Sequence, residues 1–200
     1  MNDPMKPKKP YLVVLDLETT GLEPSYCSII EVGAIALDEN FGIVGAVDFV
    51  VRPLYAYHLE QMDPFVRQMH TNNGLLEVVQ DGLDPHDADE KLASWMRYSL
   101  GCEDKSVVLA GHTISFDHSF LKAQFPLTTK LLSHRTLDFS AIARLFRDCG
   151  ISVPNGEMPH RAMADCLLEL DELKSMVGFL KCAQADRHYR QQKLLESVRG

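Results

Sequence analysis

The sequence predicts an α/β domain in which a mixed sheet is covered by helices. Two observations carry this. The first 51 residues hold three short apolar runs separated by turn signals, and the rest alternates helical periodicity with brief apolar runs. A third observation sets the scale: 200 residues, 46% hydrophobic and 24% charged, make one ordinary globular domain. A chain this long buries roughly 70% of its unfolded surface and needs no disulfide or structural metal to fold.

Tyr11 to Leu17 (YLVVLDL) is Val- and Leu-rich and too short for a helix, so it reads as a buried strand. Thr20-Gly21-Leu22-Glu23-Pro24 is a loop. Ile29 to Leu37 is a second strand, Asp38-Glu39-Asn40 a turn, and Phe41 to Val51 a third strand, together an antiparallel meander. Helical patterns follow over Leu59 to Met69, Asn72 to Val79 and Ala88 to Leu100, the last with Leu92, Met96 and Leu100 on one face. The acid-rich stretch Asp81 to Glu90 supplies its cap. Val107 to Ala110 is a short buried strand ended by Gly111, with a helix through Phe125. Arg135 to Leu137 is a brief strand, Phe139 to Cys149 a helix, and Ile151 to Pro159 a loop. Arg161 to about Cys182 is the longest helix. The expected organisation is a flexible tail over 1–10, the domain over 11–182, and a basic helix or tail over 183–200.

Charge and cysteine usage narrow the function. A formal charge of −8 disfavours a protein that grips long duplex DNA through its phosphates. Five cysteines, with no C-x-x-C pair, fit free thiols in a reducing cytoplasm and argue against a zinc site or disulfide framework. The opening MNDPMKPKKP has no signal-peptide core, and no run of about 18 apolar residues is present to span a membrane.

Three features carry chemistry. Asp16 and Glu18 are two apart on an apolar strand and point to one face. Their mutual repulsion calls for a compensator such as Mg²⁺ or Mn²⁺, although exposed acids at a strand end give the same pattern. Asp117 lies in the first turn of the helix after Gly111, where the helix dipole alone favours an acid. His160 opens the last long helix and Asp165 follows within its first turns. An imidazole there is either a proton acceptor for a bound water or a capping residue.

Taken together, D-x-E, then D, then H-x-x-x-x-D resembles the DEDDh type of the DnaQ-like exonuclease superfamily. The resemblance implies an RNase H-like fold, a mixed five-stranded sheet flanked by helices. It implies two divalent cations, Mg²⁺ or Mn²⁺, held by Asp16, Glu18, Asp117 and Asp165, with His160 as general base. From Tyr11 to Val177 the chain is most similar to oligoribonucleases, which implies a 3′→5′ exoribonuclease releasing nucleoside 5′-monophosphates from short RNAs, acting as a homodimer. By that resemblance Leu22 wedges between the terminal bases, Phe65 stacks on a base where the family has Trp, and His70 also meets substrate. Thr113, Arg135 and Ser140 match residues at the substrate 5′ phosphate, the arginine coming from the neighbouring subunit.

The chain departs from that family at Thr19, usually Met, at His112, usually Asn, at Phe116, often Gln, and at His134, usually Tyr. These departures bear on dinucleotide specificity more than on nuclease activity. The DLETTG spelling also suits a general 3′ exonuclease on single-stranded DNA or RNA, of the proofreading or RNase T-like kind. A non-catalytic nucleic-acid-binding domain is the reading from another class, and the complete set of five residues argues against it.

Overall fold

The computed structural model describes residues 9–153 and 156–199, with side chains described as far as Arg187. Five strands form one mixed sheet: β1 Leu12–Thr19, β2 Ile29–Leu37, β3 Ile43–Val50, β4 Val107–Gly111 and β5 Leu132–Asp138. Their order is β3-β2-β1-β4-β5, with β1, β2 and β3 antiparallel and β4 and β5 parallel to β1. The expected meander and mixed five-stranded sheet are therefore present.

Alternation along β1 sorts its side chains between two cores. Val13, Leu15 and Leu17 enter a cluster with Leu92, Met96, Phe120 and Phe125. Leu12 and Val14 enter the opposite cluster with Cys166, Leu170 and Leu173. The first cluster is built by α4 (Pro85–Ser94), α5 (Ser115–Gln124) and α6 (Pro126–Leu131), the second by α7 (Phe139–Asp148) and α8 (Ala162–Arg199). By the same alternation Asp16 and Glu18 fall on the α8 side of the sheet. Gly33, paired with Asp16 across the β1–β2 ladder, lets α8 approach closely: a Cβ there would lie 2.4 Å from the Ala162 carbonyl carbon. The first turn of α8 thus rests on the sheet beside the acids.

Several boundaries differ from the sequence reading. β1 continues to Thr19, so Glu18 lies within the strand. The single helix expected over 59–69 is two: α1 Tyr57–Glu60 and α2 Pro64–Asn72. Asp63 causes the break, since its carboxylate caps the Phe65 N–H at 2.8 Å ahead of Pro64. Gly74, at φ 76°, then separates α2 from α3 (Leu75–Val78) and a short 3₁₀ turn over Val79–Asp81. α4 starts at Pro85, capped by Asp84, and passes into a π turn over Trp95–Ser99. α6 was not expected at all. The buried Asp89 receives the Leu127 and Thr128 N–H groups, each at 2.8 Å, and so satisfies its first turn. α8 runs to Arg199, past the expected end at Cys182, so 183–199 is helix in its backbone.

Of the expected N-terminal tail, residues 1–8 lie outside the described residues, and Lys9 pairs with Glu103 at 2.8 Å. All five cysteines are free thiols. Among the described residues no helix is long and apolar enough to cross a membrane.

Candidate active site

The acids converge where β1 outruns β4. β4 ends at Gly111, opposite the middle of β1, so the last part of β1 lacks a ladder partner on that side. Asp117, in the first turn of α5, supplies one: its Oδ1 accepts the Leu17 N–H at 3.0 Å. Asp165 comes in on the first turn of α8, held over the sheet by the contact at Gly33. Glu18, His160 and Asp165 each bring a ligating atom within 4.8 Å of the others.

The electrostatics follow from this crowding. Glu18, Asp117 and Asp165 are buried and Asp16 is half-buried. Burial, then the Asp165 and Glu31 charges, pushes the Asp16 carboxyl up to about 7. Burial followed by Asp16, Asp165, Glu31 and Asp117 pushes Glu18 up to about 9. Asp117 is raised well above the usual carboxylate range, again by burial first and then by Asp16. Asp165 rises only to about 6, because the His160 charge and the His160 and Arg161 backbone partly offset its burial. Among the described residues Asp16 Oδ2 and Asp165 Oδ1 are buried with no hydrogen-bond partner. Buried carboxylate oxygens without a partner, in a cluster of acids, fit a hard divalent cation.

His160 stands exposed just before α8, in the left-handed region at φ 55°. A network that the sequence reading missed holds it there. Glu31 sits directly across the ladder from Glu18, a like-charge pair that would be unfavourable alone. Arg161 neutralises it, with Nε at 3.0 Å and Nη2 at 2.7 Å from Glu31 Oε1. The other Glu31 oxygen takes the Ala162 N–H at 2.9 Å and so caps α8. Asn73, beyond the end of α2, donates through Nδ2 to the His160 carbonyl, and its own carbonyl accepts Arg161 Nη1 at 3.3 Å. A glutamate inside the apolar run of β2 and an arginine next to His160 were the available signals.

The remaining candidates separate into three groups. Leu22 and Phe65 display apolar side chains to solvent, 81% and 75% exposed. His70 does not: it is 0% exposed, its Nε2 lies 3.1 Å from the Thr19 carbonyl and 3.7 Å from Glu18, and burial lowers its pKa. A neutral His70 donating to Thr19 braces the end of β1, and the side chain has no surface to offer a ligand. Thr113 and Ser140 come together, with the Thr113 N–H donated to Ser140 Oγ at 3.1 Å. Arg135 is exposed on edge strand β5 and its side chain makes no hydrogen bond or ion pair among the described residues. Behind Thr113 lie two more buried acids outside the expected set, Glu169 and Glu172, joined to His112. Glu169 is raised to about 8, by burial first.

Converged acids at the open end of β1 are the arrangement of a site suited to metal-assisted hydrolysis. The chain matches the Exonuclease family over residues 13–173, a span that includes all four acids and His160, and it belongs to that family. It is 36% identical over 179 residues to an oligoribonuclease of Corynebacterium diphtheriae, covering 86% of this chain and 84% of that one. It is 34% identical over 168 residues to one of Cutibacterium acnes, covering 81% and 82%. Among solved structures it is similar in fold to Escherichia coli exonuclease I. A zinc-bound complex of that enzyme with single-stranded DNA aligns with a TM-score of 0.65 at 17% identity, over 94% of this chain. A complex with a dT13 oligonucleotide aligns with a TM-score of 0.62 at 15% identity, over 84% of this chain. This chain spans 45% and 40% of those two exonuclease I chains. The protein is thus a 3′→5′ exonuclease, a hydrolase, with an acidic cluster suited to divalent metal.

Proposed function

We propose that this exonuclease trims short single-stranded RNAs from the 3′ end to nucleoside 5′-monophosphates. The observation that carries the reading is the convergence of Asp16 and Glu18 from β1, Asp117 from α5 and Asp165 from α8, beside His160, in a chain similar to oligoribonucleases along most of its length. An acidic protein suits a substrate with few phosphates to grip.

The orphaned oxygens and raised carboxyls fit two Mg²⁺ or Mn²⁺ ions held by Asp16, Glu18, Asp117 and Asp165. When bound, such ions supply Lewis-acid chemistry at the scissile phosphate and offset the charge of the four carboxylates. His160 accepts the proton of the attacking water, and its exposed ring is open to solvent for proton release. Arg161, Glu31 and Asn73 fix its backbone. The apolar faces of Leu22 and Phe65 pack on the terminal bases, at about 1–3 kcal/mol per stacked base. Thr113 and Ser140 meet the 5′ phosphate, and Arg135, exposed on the edge strand, completes that site from the second subunit of a homodimer. Five free thiols support a cytoplasmic setting.

The test is a length series: RNAs of two, five and twenty nucleotides and the matching DNAs, with Mg²⁺ or Mn²⁺ and a chelator control. The reading expects fast cleavage of the shortest RNA. Fast trimming of the twenty-mer with the two-mer left over would replace it with a general single-strand 3′ exonuclease.

A further inference from the structure

His112 follows Gly111 at the end of β4 and is held on three sides. Its N–H is donated to Glu169 Oε1 at 3.0 Å. Its ring Nε2 meets the carboxylate of Glu172, and its Nδ1 lies 3.0 Å from Ser140 Oγ. Ser140 Oγ in turn accepts the Thr113 N–H at 3.1 Å and lies 3.3 Å from the Thr113 hydroxyl. Glu172 is buried, the ring is mostly so, and Thr113 is exposed at the surface end of the chain of contacts. The charged groups facing His112 are therefore Glu172 and Glu169, both from α8. From α7 come Ser140 and the Phe139 ring, edge-on at 6.3 Å. Asp138, across the ladder from Gly111, is turned to the Ala141 N–H at 3.2 Å.

Counting donors fixes the direction of this chain. A carboxylate only accepts, so Nε2 carries a hydrogen toward Glu172. Nδ1 then carries one only when the ring is charged. Ser140 has one hydrogen and two lone pairs, and one lone pair is taken by the Thr113 N–H. With the ring neutral, the Ser140 hydroxyl donates to Nδ1, the Thr113 hydroxyl donates to Ser140, and lone pairs face outward. With the ring charged, Nδ1–H fills the second Ser140 lone pair and the Ser140 hydrogen turns to Thr113. The Thr113 hydrogen is then free to point outward. One proton, taken up at a mostly buried ring, converts an exposed acceptor into an exposed donor.

We propose that His112 is a positioning residue which, anchored by Glu172, sets the Thr113–Ser140 hydroxyl pair to donate to an anionic phosphate oxygen of the substrate when its ring is charged. The proposal rests on the reading that these hydroxyls meet the 5′ phosphate. An amide at position 112 would not gain a proton in this pH range.

The test is kcat/KM for a dinucleotide with a 5′ phosphate divided by that for the same dinucleotide with a 5′ hydroxyl, from about pH 5.5 to 8.5. It is measured on the metal-loaded wild type, His112→Asn, Glu172→Gln, Thr113→Val and Ser140→Ala. Dividing wild type by His112→Asn at each pH cancels the titration of the phosphate itself. That quotient should fall about tenfold as pH rises, the scale of one charge-assisted hydrogen bond. Glu172→Gln should flatten the fall, since an amide that can also donate no longer fixes Nε2 as the hydrogen-bearing nitrogen. A pH-independent quotient, with Thr113→Val and Ser140→Ala still lowering phosphate preference, would overturn the role of His112 and leave the subsite standing. Unchanged preference in Thr113→Val and Ser140→Ala would overturn the subsite, and the proposal with it.

Discussion

Asp16 offers the sharpest test, because its cost to the folded protein can be worked from its surroundings. Its carboxyl rises from 3.8 to about 7, mainly through burial and then through Asp165 and Glu31. An acid whose folded pKa is raised binds its proton more tightly when folded. Without metal the penalty is absent below about pH 4, grows as pH climbs, and is complete above about pH 7. Full ionisation then costs on the order of 4 kcal/mol. Asp16→Asn removes that cost and keeps the shape. For a chain of this size 1 kcal/mol moves the melting temperature by about 2–4 °C. In chelator at pH 8 the variant should therefore melt several degrees above wild type, with about 16 °C as the ceiling. The gap should narrow toward pH 4–5. Adding Mg²⁺ or Mn²⁺ should raise wild type more than the variant, and nuclease activity should be lost in the variant at every metal concentration. Thermal melts by circular dichroism at three pH values, with and without metal, decide it. A variant no more stable than wild type at pH 8 in chelator, or a gap that ignores pH, would refute the reasoning.

His160→Ala should lower turnover about 10²–10⁴-fold while leaving the melting temperature near that of wild type, since the side chain is exposed; single-turnover rates check this. Asn73→Ala should lower kcat about ten- to hundredfold with KM little changed. Asn73→Asp should do the same, because a carboxylate cannot donate to the His160 carbonyl. Gly33→Ala should cost about 3 kcal/mol in urea unfolding, because its Cβ meets backbone at 2.4 Å and α8 must back away from the sheet. Phe65→Ala should raise KM for short RNA at least fivefold, the loss of one stacked base, and steady-state kinetics on a five-mer measures it.

The parts of this molecule that rest on local pattern could be read from the sequence. Apolar runs of strand length gave β2 and β3 nearly to the residue, and the order of acids along the chain brought Asp16, Glu18, Asp117, His160 and Asp165 into one proposal. Features made by distant juxtaposition could not. α6 exists because Asp89, 37 positions before Pro126, satisfies its first turn. Glu31 matters only because register places it opposite Glu18 and Arg161 reaches it across 130 positions. Asn73 and Glu172 are ordinary helix-end and helix residues until the fold sets them against His160 and His112. The burial of His70 is of the same kind: nothing local distinguishes a histidine under the sheet end from one at the surface.

The wide spacing of the acids along the chain has a consequence for biosynthesis. Asp16 and Glu18 leave the ribosome early, Asp117 much later, and His160 and Asp165 only with the start of α8. The hydrogen bond from Leu17 to Asp117 already spans 100 positions, and the Glu31 cap on α8 spans 131. A growing chain therefore carries three of the four acids, and lacks His160 and Asp165, until α8 is made and docks on Gly33. The site is completed in a single late step, and a chain lacking α8 is expected to have no nuclease activity.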